Sequence, residues 1–176
     1  LGSSGEVPYL TTEERDVVIR TVAGVNAGEV PVIAGACEQT TPRVIEEGRR
    51  LIGLGADAIV ATSQFYAISD MAETDTHFRA LHAALDVPLF AYDVPVRTHH
   101  KLPLLKSLRR KLPLPLLVQL AQDGVLAGVK DSSGDDVSFR QLLLATRGLP
   151  DFAVFTGHEV VVDGALLGGA HGVVPG

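Results

Sequence analysis

Short apolar runs recur along the chain, and all but the last are followed by a longer stretch with apolar residues at helical spacing. Gly, Pro or Asp flanks most of these runs. Uninterrupted apolar runs of this kind are typical of parallel strands that are buried on both faces of a sheet. The predicted strands are Pro31–Ala36, Ala58–Thr62, Pro88–Val94, Val125–Val129, Phe152–Thr156 and Gly172–Val174.

Signals for the start of a helix stand in the stretches between the runs. Thr11–Glu14 is a capping box, in which the first and last side chains can bond each other's backbone N–H groups. Thr41 followed by Pro42 is the pattern of an N-cap with proline at the first helical position. The first predicted helix begins at this capping box, after Thr11. The other predicted helices are Arg43–Leu54, Asp75–Ala84, Leu114–Ala121, Ser138–Thr146 and Val160–Leu167.

The alternation of strands and helices predicts an α/β protein with a parallel sheet and right-handed crossovers. A closed eight-stranded barrel and an open doubly wound sheet both fit this pattern. The six apolar runs, with a further strand end at Leu1–Gly2, make seven units in sequence and favour a barrel whose first strand is missing. Because no helix-only or strand-only block divides the chain, residues 1–176 are predicted to form a single partial barrel domain.

Composition and charge exclude several classes of protein. Hydrophobic residues make up 46% and charged residues 20% of the 176 positions, as in ordinary soluble globular proteins. No apolar run reaches the roughly 18 residues that indicate a membrane-spanning helix. A net charge of −6 without a long basic run argues against nucleic acid as a partner. The single cysteine, Cys37, excludes a disulfide framework and indicates the reducing cytoplasm.

Two residues near the ends of predicted strands could carry chemistry. Lys130 directly follows Val125–Val129, and the carboxyl ends of the strands face the active site in a parallel α/β barrel. Partial burial there favours a neutral, nucleophilic amine, although a lysine in this place can also extend to the rim or pair with Asp131. Tyr92, in a similar place, could transfer protons in a closed site. Alternatively, it could be a packing residue whose hydroxyl is satisfied by a hydrogen bond.

Other candidate residues leave alternatives open. Arg97 could bind a carboxylate or form a surface salt bridge. The Gly2–Gly5 turn could present hydroxyls and backbone amides to an anion. Such a turn would fit a phosphate- or nucleotide-binding α/β domain. Its sequence, however, matches neither the dinucleotide-binding motif nor the P-loop. Cys37 fits a nucleophile no better than a small buried residue. No histidine pair has metal-ligand spacing with a carboxylate, so no metal site is predicted.

A near-repeat lies in the longest gap between predicted strands. Lys101–Leu105 is almost repeated as Lys111–Leu117, with Lys106–Arg110 between the two copies. We interpret the segment around Lys101–Lys111 as an insertion that a surface loop tolerates.

Seven motifs occur in the order and at the spacing of one enzyme family. They are Gly2–Glu6, Leu10–Arg15, Pro31–Gly35, Leu54–Ala58, Tyr92–Pro95, Gly128–Ser133 and Leu167–Gly172. Together they resemble the dihydrodipicolinate synthase/N-acetylneuraminate lyase family along the whole chain outside the near-repeat. The resemblance implies a (β/α)₈ TIM barrel that is incomplete, because members of the family have a first strand before Gly2 and a helical region after Gly176.

The resemblance assigns catalytic roles by position. It implies that Lys130 forms an imine with the ketone of pyruvate or another 2-keto acid, and that Tyr92 carries protons near the imine carbon. Ser3 would link Tyr92 to a second tyrosine, Tyr66, which in this family reaches across a subunit interface. Ser4 would hold the carboxylate of the keto acid. The covalent imine implies that no cofactor is needed, and the shared tyrosine implies a homodimer or homotetramer.

The same resemblance also bears on the second substrate. Gly157 and Val174 match positions that line the pocket through their backbone, and Arg97 matches the arginine that synthases use for the second carboxylate. This match favours a synthase-like lyase that catalyses aldol-type condensation or cleavage. Departures from the synthase pattern suggest a paralogue, either a 2-keto-3-deoxy sugar-acid aldolase or dehydratase or an N-acetylneuraminate lyase-like enzyme. They lie at Ser63–Tyr66, Asp93 and Val173–Gly176. An alternative of another class is a truncated barrel that is catalytically silent.

Overall fold

The six strands found in the described part of the chain form one parallel sheet. The computed structural model describes residues 1–66, 69–98 and 112–176. The strands pair in the order β1-β2-β3-β4-β5-β6, so that each is parallel to its neighbour in sequence. They are β1 (Ile33–Gly35), β2 (Ala58–Thr62), β3 (Leu89–Asp93), β4 (Gly128–Asp131), β5 (Ala153–Thr156) and β6 (Gly172–Val173). A consecutive order without a reversal is that of a curled half-barrel and not of a doubly wound sheet.

Helices connect the strands and cover the outer face of the sheet. Within the described residues they are α1 (Thr12–Asn26), α2 (Thr41–Gly53), α3 (Met71–Ala84), α4 (Pro95–Thr98), α5 (Leu114–Gln122), α6 (Asp136–Thr146) and α7 (Val162–Leu167). Single 3₁₀ turns cover Val7–Tyr9 and Glu159–Val161. The capping boxes at Thr11 and Asp70 start α1 and α3. None of these helices is long and apolar enough to cross a membrane.

The two faces of the sheet differ because side chains alternate along each strand. Ile59, Ala91 and Val129 are fully buried and pack with helix residues such as Phe78 in one hydrophobic cluster. The opposite face is concave and lines the interior of the half-barrel. Glycines on this face leave room for aromatic rings, since a Cβ at position 128 would collide with the ring of Phe90.

Several predicted boundaries were wrong. Leu1–Gly2 is not a strand, although the carbonyl of Leu1 lies so close to β1 that a Cβ on Gly35 would collide with it. The fourth strand begins at Gly128 and not at Val125. The backbone N–H of Val125 donates a hydrogen bond to the Leu120 carbonyl in α5, so it is not available to the sheet. The segment from Lys101 to Lys111, which contains the first copy of the near-repeat, lies outside the described residues.

The start of α2 also differs from the prediction. The N-cap is Thr40, and the helix begins at Thr41 with Pro42 in its first turn. The Thr41 hydroxyl has another partner, because its Oγ1 lies 2.8 Å from Nδ1 of His77 on α3. On the other side of the ring, Nε2 lies 3.1 Å from the carbonyl oxygen of Thr62 at the end of β2. The carbonyl can only accept, so Nε2 carries the proton and Nδ1 accepts from Thr41.

His77 is expected to make the protein less stable in mild acid. Its burial lowers the pKa of the imidazole below its ordinary value of 6.5, with a smaller opposing effect of the bond to Thr62. The unfolded chain therefore binds a proton at a higher pH than the folded one, and the free energy of unfolding falls as the pH drops below about 6.5. Chemical denaturation between pH 7.5 and 5 should show this slope, and His77→Gln should reduce it. The exposed His82 on the same helix provides the control, His82→Gln; equal slopes in all three proteins would contradict the prediction.

Candidate active site

Lys130 and Tyr92 meet on the concave face of the sheet. They are register partners on β4 and β3, and the Lys130 ammonium donates a hydrogen bond of 3.2 Å to the Tyr92 hydroxyl. The same Nζ lies 4.3 Å from the centre of the tyrosine ring, which adds a cation–π contact. Tyr92 is buried and Lys130 is half-buried. The structure thus holds an amine against a phenol at the carboxyl end of the sheet, where barrel enzymes have their active sites.

Gly157 leaves the space through which the lysine side chain passes. A Cβ at this position would lie 2.8 Å from Cε and 3.1 Å from Nζ of Lys130, and it would collide with Oγ of Ser132. The glycine directly follows β5, and its N–H donates a 2.7 Å hydrogen bond to the carbonyl of Asp131 on β4. The backbone is therefore fixed at this point, so a side chain added here would have to displace the lysine.

Two cavities meet at Tyr92, which lines both. The cavity around Lys130, which we call the inner cavity, has a volume of about 260 Å³. The second, which we call the outer cavity, has a volume of about 220 Å³. The inner cavity is lined by Leu1, Gly2, Ile33, Gly35, Val60, Phe90, Tyr92, Lys130, Phe155 and Val174. The outer cavity is lined by Ser3, Val7, Pro8, Tyr9, Cys37, Thr62, Phe65, Tyr92, Val94, Arg97 and Thr98.

The remaining predicted residues fall in four places. Ser3 and Arg97 line the outer cavity, and Val174 lines the inner one. Ser4 is exposed and stands beside the last residue, since a Cβ on Gly176 would lie 2.9 Å from its Oγ. Tyr66 is 75% exposed and lines neither of the two cavities. The structure therefore brings Lys130 and Tyr92 together with Gly157 and Val174, whereas Tyr66 lies in the lining of neither cavity.

The family model for the dihydrodipicolinate synthetase family matches residues 1–175. The chain belongs to this family. The match confirms the resemblance seen in the motifs. A 4-hydroxy-tetrahydrodipicolinate synthase from Exiguobacterium sibiricum is 35% identical over 174 residues, which cover 98% of this chain and 55% of that protein.

Solved structures of dihydrodipicolinate synthases share the fold. The synthase from Bacteroides thetaiotaomicron superimposes with a TM-score of 0.87 at 26% identity, over 100% of this chain and 56% of that one. The chloride-inhibited synthase from Acinetobacter baumannii, solved in complex with pyruvate, has a TM-score of 0.87 at 29% identity, over 99% of this chain and 56% of that one. The chain spans about half the length of these relatives. The comparison confirms the predicted α/β fold as part of a TIM barrel.

Cys37 in this member of the dihydrodipicolinate synthetase family is partly buried and lines the outer cavity. Burial raises its pKa to about 11, although the positive charges of the N-terminal amine and of Lys130 oppose the shift. Cysteine is nucleophilic as the thiolate, and this pKa leaves roughly one thiol in a thousand ionised at pH 8. The raised pKa thus favours a small packing residue over a nucleophile. No group of three His, Cys, Asp or Glu side chains is placed to hold a metal ion within residues 1–66, 69–98 and 112–176.

Sequence reasoning gave no individual role to Thr62, Phe65 and Ser132, although Phe65 and Ser132 lie within segments that it named. Thr62 is the last residue of β2 and lines the outer cavity with Phe65, while Ser132 lies against Gly157 beyond the end of β4. Lys130 and Tyr92 were selected because they lie at the carboxyl ends of buried strands. These three residues also lie at or just after such strand ends. Hydroxyl and phenyl side chains are common in loops, however, so their residue type alone carried no signal.

Proposed function

We propose that the protein is a lyase that forms a Schiff base between Lys130 and pyruvate or another 2-keto acid. It would catalyse aldol-type condensation or cleavage in the manner of 4-hydroxy-tetrahydrodipicolinate synthase. The observation that supports this most is the half-buried Lys130 amine, 3.2 Å from the Tyr92 hydroxyl in a cavity at the carboxyl end of the sheet. The complex of the A. baumannii synthase with pyruvate is consistent with a keto acid as ligand.

The proposed reaction begins when the Lys130 ammonium loses one proton and becomes the neutral amine. Its lone pair attacks the ketone carbon, and loss of water from the carbinolamine leaves a protonated imine. The imine withdraws electrons from the adjacent carbon, which then releases a proton, or the carbon–carbon bond beyond it breaks, to give an enamine. The enamine carbon attacks an aldehyde in the condensation direction. Because Tyr92 is hydrogen-bonded to the reacting nitrogen, it is the group that carries protons to and from this centre. This sequence needs no cofactor.

The other predicted residues complete the proposed site. Ser4, with the amides of its turn, would bind the carboxylate of the keto acid. Arg97 would bind a second carboxylate from its place in the outer cavity. The exposure of Tyr66 fits a side chain that acts in a neighbouring copy, with Ser3 linking it to Tyr92. The active form would accordingly be a homodimer or homotetramer.

Borohydride reduction in the presence of pyruvate tests this proposal. The hydride reduces the imine to a stable secondary amine, and peptide mass mapping then identifies the modified residue. We expect an adduct on Lys130 that depends on both pyruvate and borohydride. A folded protein that gives no adduct would support the catalytically silent alternative instead. Reduction with acetone in place of pyruvate, which keeps the ketone but lacks the carboxylate, shows whether carboxylate binding contributes to the reaction.

A further inference from the structure

Two aromatic rings meet on the concave face of the sheet beside Lys130. The ring centres of Phe90 on β3 and Phe155 on β5 lie 5.8 Å apart, with an angle of 45° between the ring planes. This distance is in the range of favourable aromatic contacts. Because β3 and β5 each pair with β4 and not with one another, the two side chains reach across β4 to make the contact. We call these two rings the aromatic pair, and both line the inner cavity with the lysine.

Two glycines make room for the aromatic pair. Gly128 is the register partner of Phe90, and a Cβ on this glycine would lie 2.5 Å and 2.7 Å from two atoms of the phenyl ring. On β6, a Cβ on Gly172 would lie 3.0 Å from two ring atoms of Phe155. In a closely packed interior, a larger residue at either position would force a ring to move. The rings therefore fill the space that the absent side chains leave open.

The aromatic pair restricts the path of the Lys130 side chain. Lys130 stands two residues after Gly128 on β4, so both positions face the same side of the sheet. Since the rings fill the space over Gly128, the lysine stem cannot fold back along β4 toward the amino end. At the other end, Gly157 leaves the space in which Cε and Nζ lie. The remaining direction leads to the Tyr92 hydroxyl, to which the ammonium is bonded.

The lysine also has an aromatic neighbour on each side. Tyr92 on β3 and Phe155 on β5 are both register partners of Lys130, and neighbouring strands lie only about 4.8 Å apart. A lysine side chain has four rotatable carbon–carbon bonds and loses much conformational freedom when it is fixed. Rings on both sides and over Gly128 impose this restriction before a substrate arrives. The ordering of the amine is then not part of the reaction itself.

We propose that Phe90 and Phe155 are positioning residues that hold the Lys130 amine beside the Tyr92 hydroxyl. The inference rests on the proposed Schiff-base function and deepens it. A lysine that is fixed in advance forms the imine faster, because fewer orientations of the amine are lost on the way to the transition state. Neither phenyl ring carries a group that exchanges protons or bonds with the substrate. Removal of a ring should therefore slow imine formation without abolishing it.

NMR of the whole chain labelled with ¹³C-lysine measures the position of the amine without requiring a reaction. The chain has only four lysines, and Lys130→Met identifies the Lys130 signal by its loss. The Lys130 ammonium lies 4.3 Å from the centre of the Tyr92 ring, so the protons on the neighbouring Cε should be shifted upfield by the ring current. Borohydride trapping with pyruvate then measures the rate of adduct formation in the same proteins.

Two variants remove one ring each, and two serve as controls. Phe90→Leu and Phe155→Leu keep an apolar side chain but lose the ring. Phe155→Tyr keeps the ring, and the half-buried position leaves access to solvent for the added hydroxyl. Phe139→Leu controls for the loss of a phenyl ring from the core, since Phe139 is buried on α6 in the hydrophobic cluster and does not line the inner cavity.

We expect both ring-removing variants to reduce the upfield shift of the Lys130 signal and to slow adduct formation by about tenfold or more, because a small misplacement of a reacting group is costly. Phe155→Tyr and Phe139→Leu should keep the wild-type shift, and their rates should stay within about twofold of wild type, since the aromatic pair is intact. A general loss of stability would lower the Tm but would not move the signal of the folded protein.

Two results would overturn the inference. One is an unchanged shift and rate in both Phe90→Leu and Phe155→Leu, and the other is an equal change in Phe139→Leu. A folded wild-type protein that shows the upfield Lys130 signal but gives no adduct would instead refute the proposed function, and with it the role of the two rings in imine formation.

Discussion

Replacing Lys130 with methionine is expected to abolish the borohydride-trapped adduct and any turnover of keto acids. Methionine keeps an unbranched apolar side chain on β4 but has no amine, so the imine cannot form while the packing is largely kept. Removal of an attacking nucleophile commonly costs a factor of roughly 10³ or more in rate. Peptide mass mapping after reduction with pyruvate measures the adduct, and thermal unfolding shows whether the variant is folded.

The other lysines of the chain provide the matched control for this experiment. The sequence has only three more, at positions 101, 106 and 111, all in or beside the near-repeat. Lys106→Met removes one amine of the same type and should leave the adduct at its wild-type level. A Lys130→Met protein that still forms a pyruvate adduct on another residue, or that turns over keto acids normally, would show that the mechanism is wrong.

Gly157→Ala is expected to have the second-largest effect, because it should inactivate the site while leaving the fold intact. The three atoms nearest to the added Cβ all belong to side chains, namely Ser132 Oγ and the Cε and Nζ atoms of Lys130. Both can rotate away, so we expect the free energy of unfolding to change by less than about 1 kcal/mol. The displaced Nζ would leave its hydrogen bond to Tyr92, and a misplacement of about 1 Å in a reacting group can cost roughly a hundredfold in rate.

A second glycine separates this local effect from the general effect of adding a methyl group. Gly24 lies within α1, and a Cβ there would meet nothing within 4 Å. Gly24→Ala should leave the rate of adduct formation unchanged and should stabilise the helix by about 0.5–1 kcal/mol. The rate of borohydride-trapped adduct formation at a fixed pyruvate concentration compares the two variants. Equal rates in wild type and Gly157→Ala would mean that the lysine does not need the space beside this glycine.

The sequence predicted the fold well because most of its strands carry a strong local signal. Ala58–Thr62 was predicted at the bounds that the structure shows, since its apolar run starts and ends sharply. The predicted strand boundaries were wrong where tertiary contacts, and not the local apolar pattern, decide which residues join the sheet. Val125 is apolar and buried, yet its N–H belongs to the turn after α5 and not to the sheet. The apolar pattern does not distinguish a residue that is buried in a turn from one that is buried in a strand.

The site residues could be predicted where a chemically reactive side chain stands at the carboxyl end of a predicted strand. Lys130 and Tyr92 met this condition, and the structure joins them by a hydrogen bond. Gly157 came from the family resemblance, and the reason for a glycine became visible only once the path of the lysine was known. Thr62 could not be selected, because its hydroxyl is distinguished only by having no partner among the residues that the structure describes. That property comes from the packing of several elements and leaves no trace in the local sequence.

The consecutive order of the strands also bears on how the site assembles. Each strand pairs with the one made just before it, so the sheet can grow by short closures as the chain leaves the ribosome. The lysine and tyrosine come together when β4 docks on β3, and Gly157 arrives one step later with β5. The reactive pair is thus built from successive segments of the nascent chain, without waiting for contacts between its distant ends.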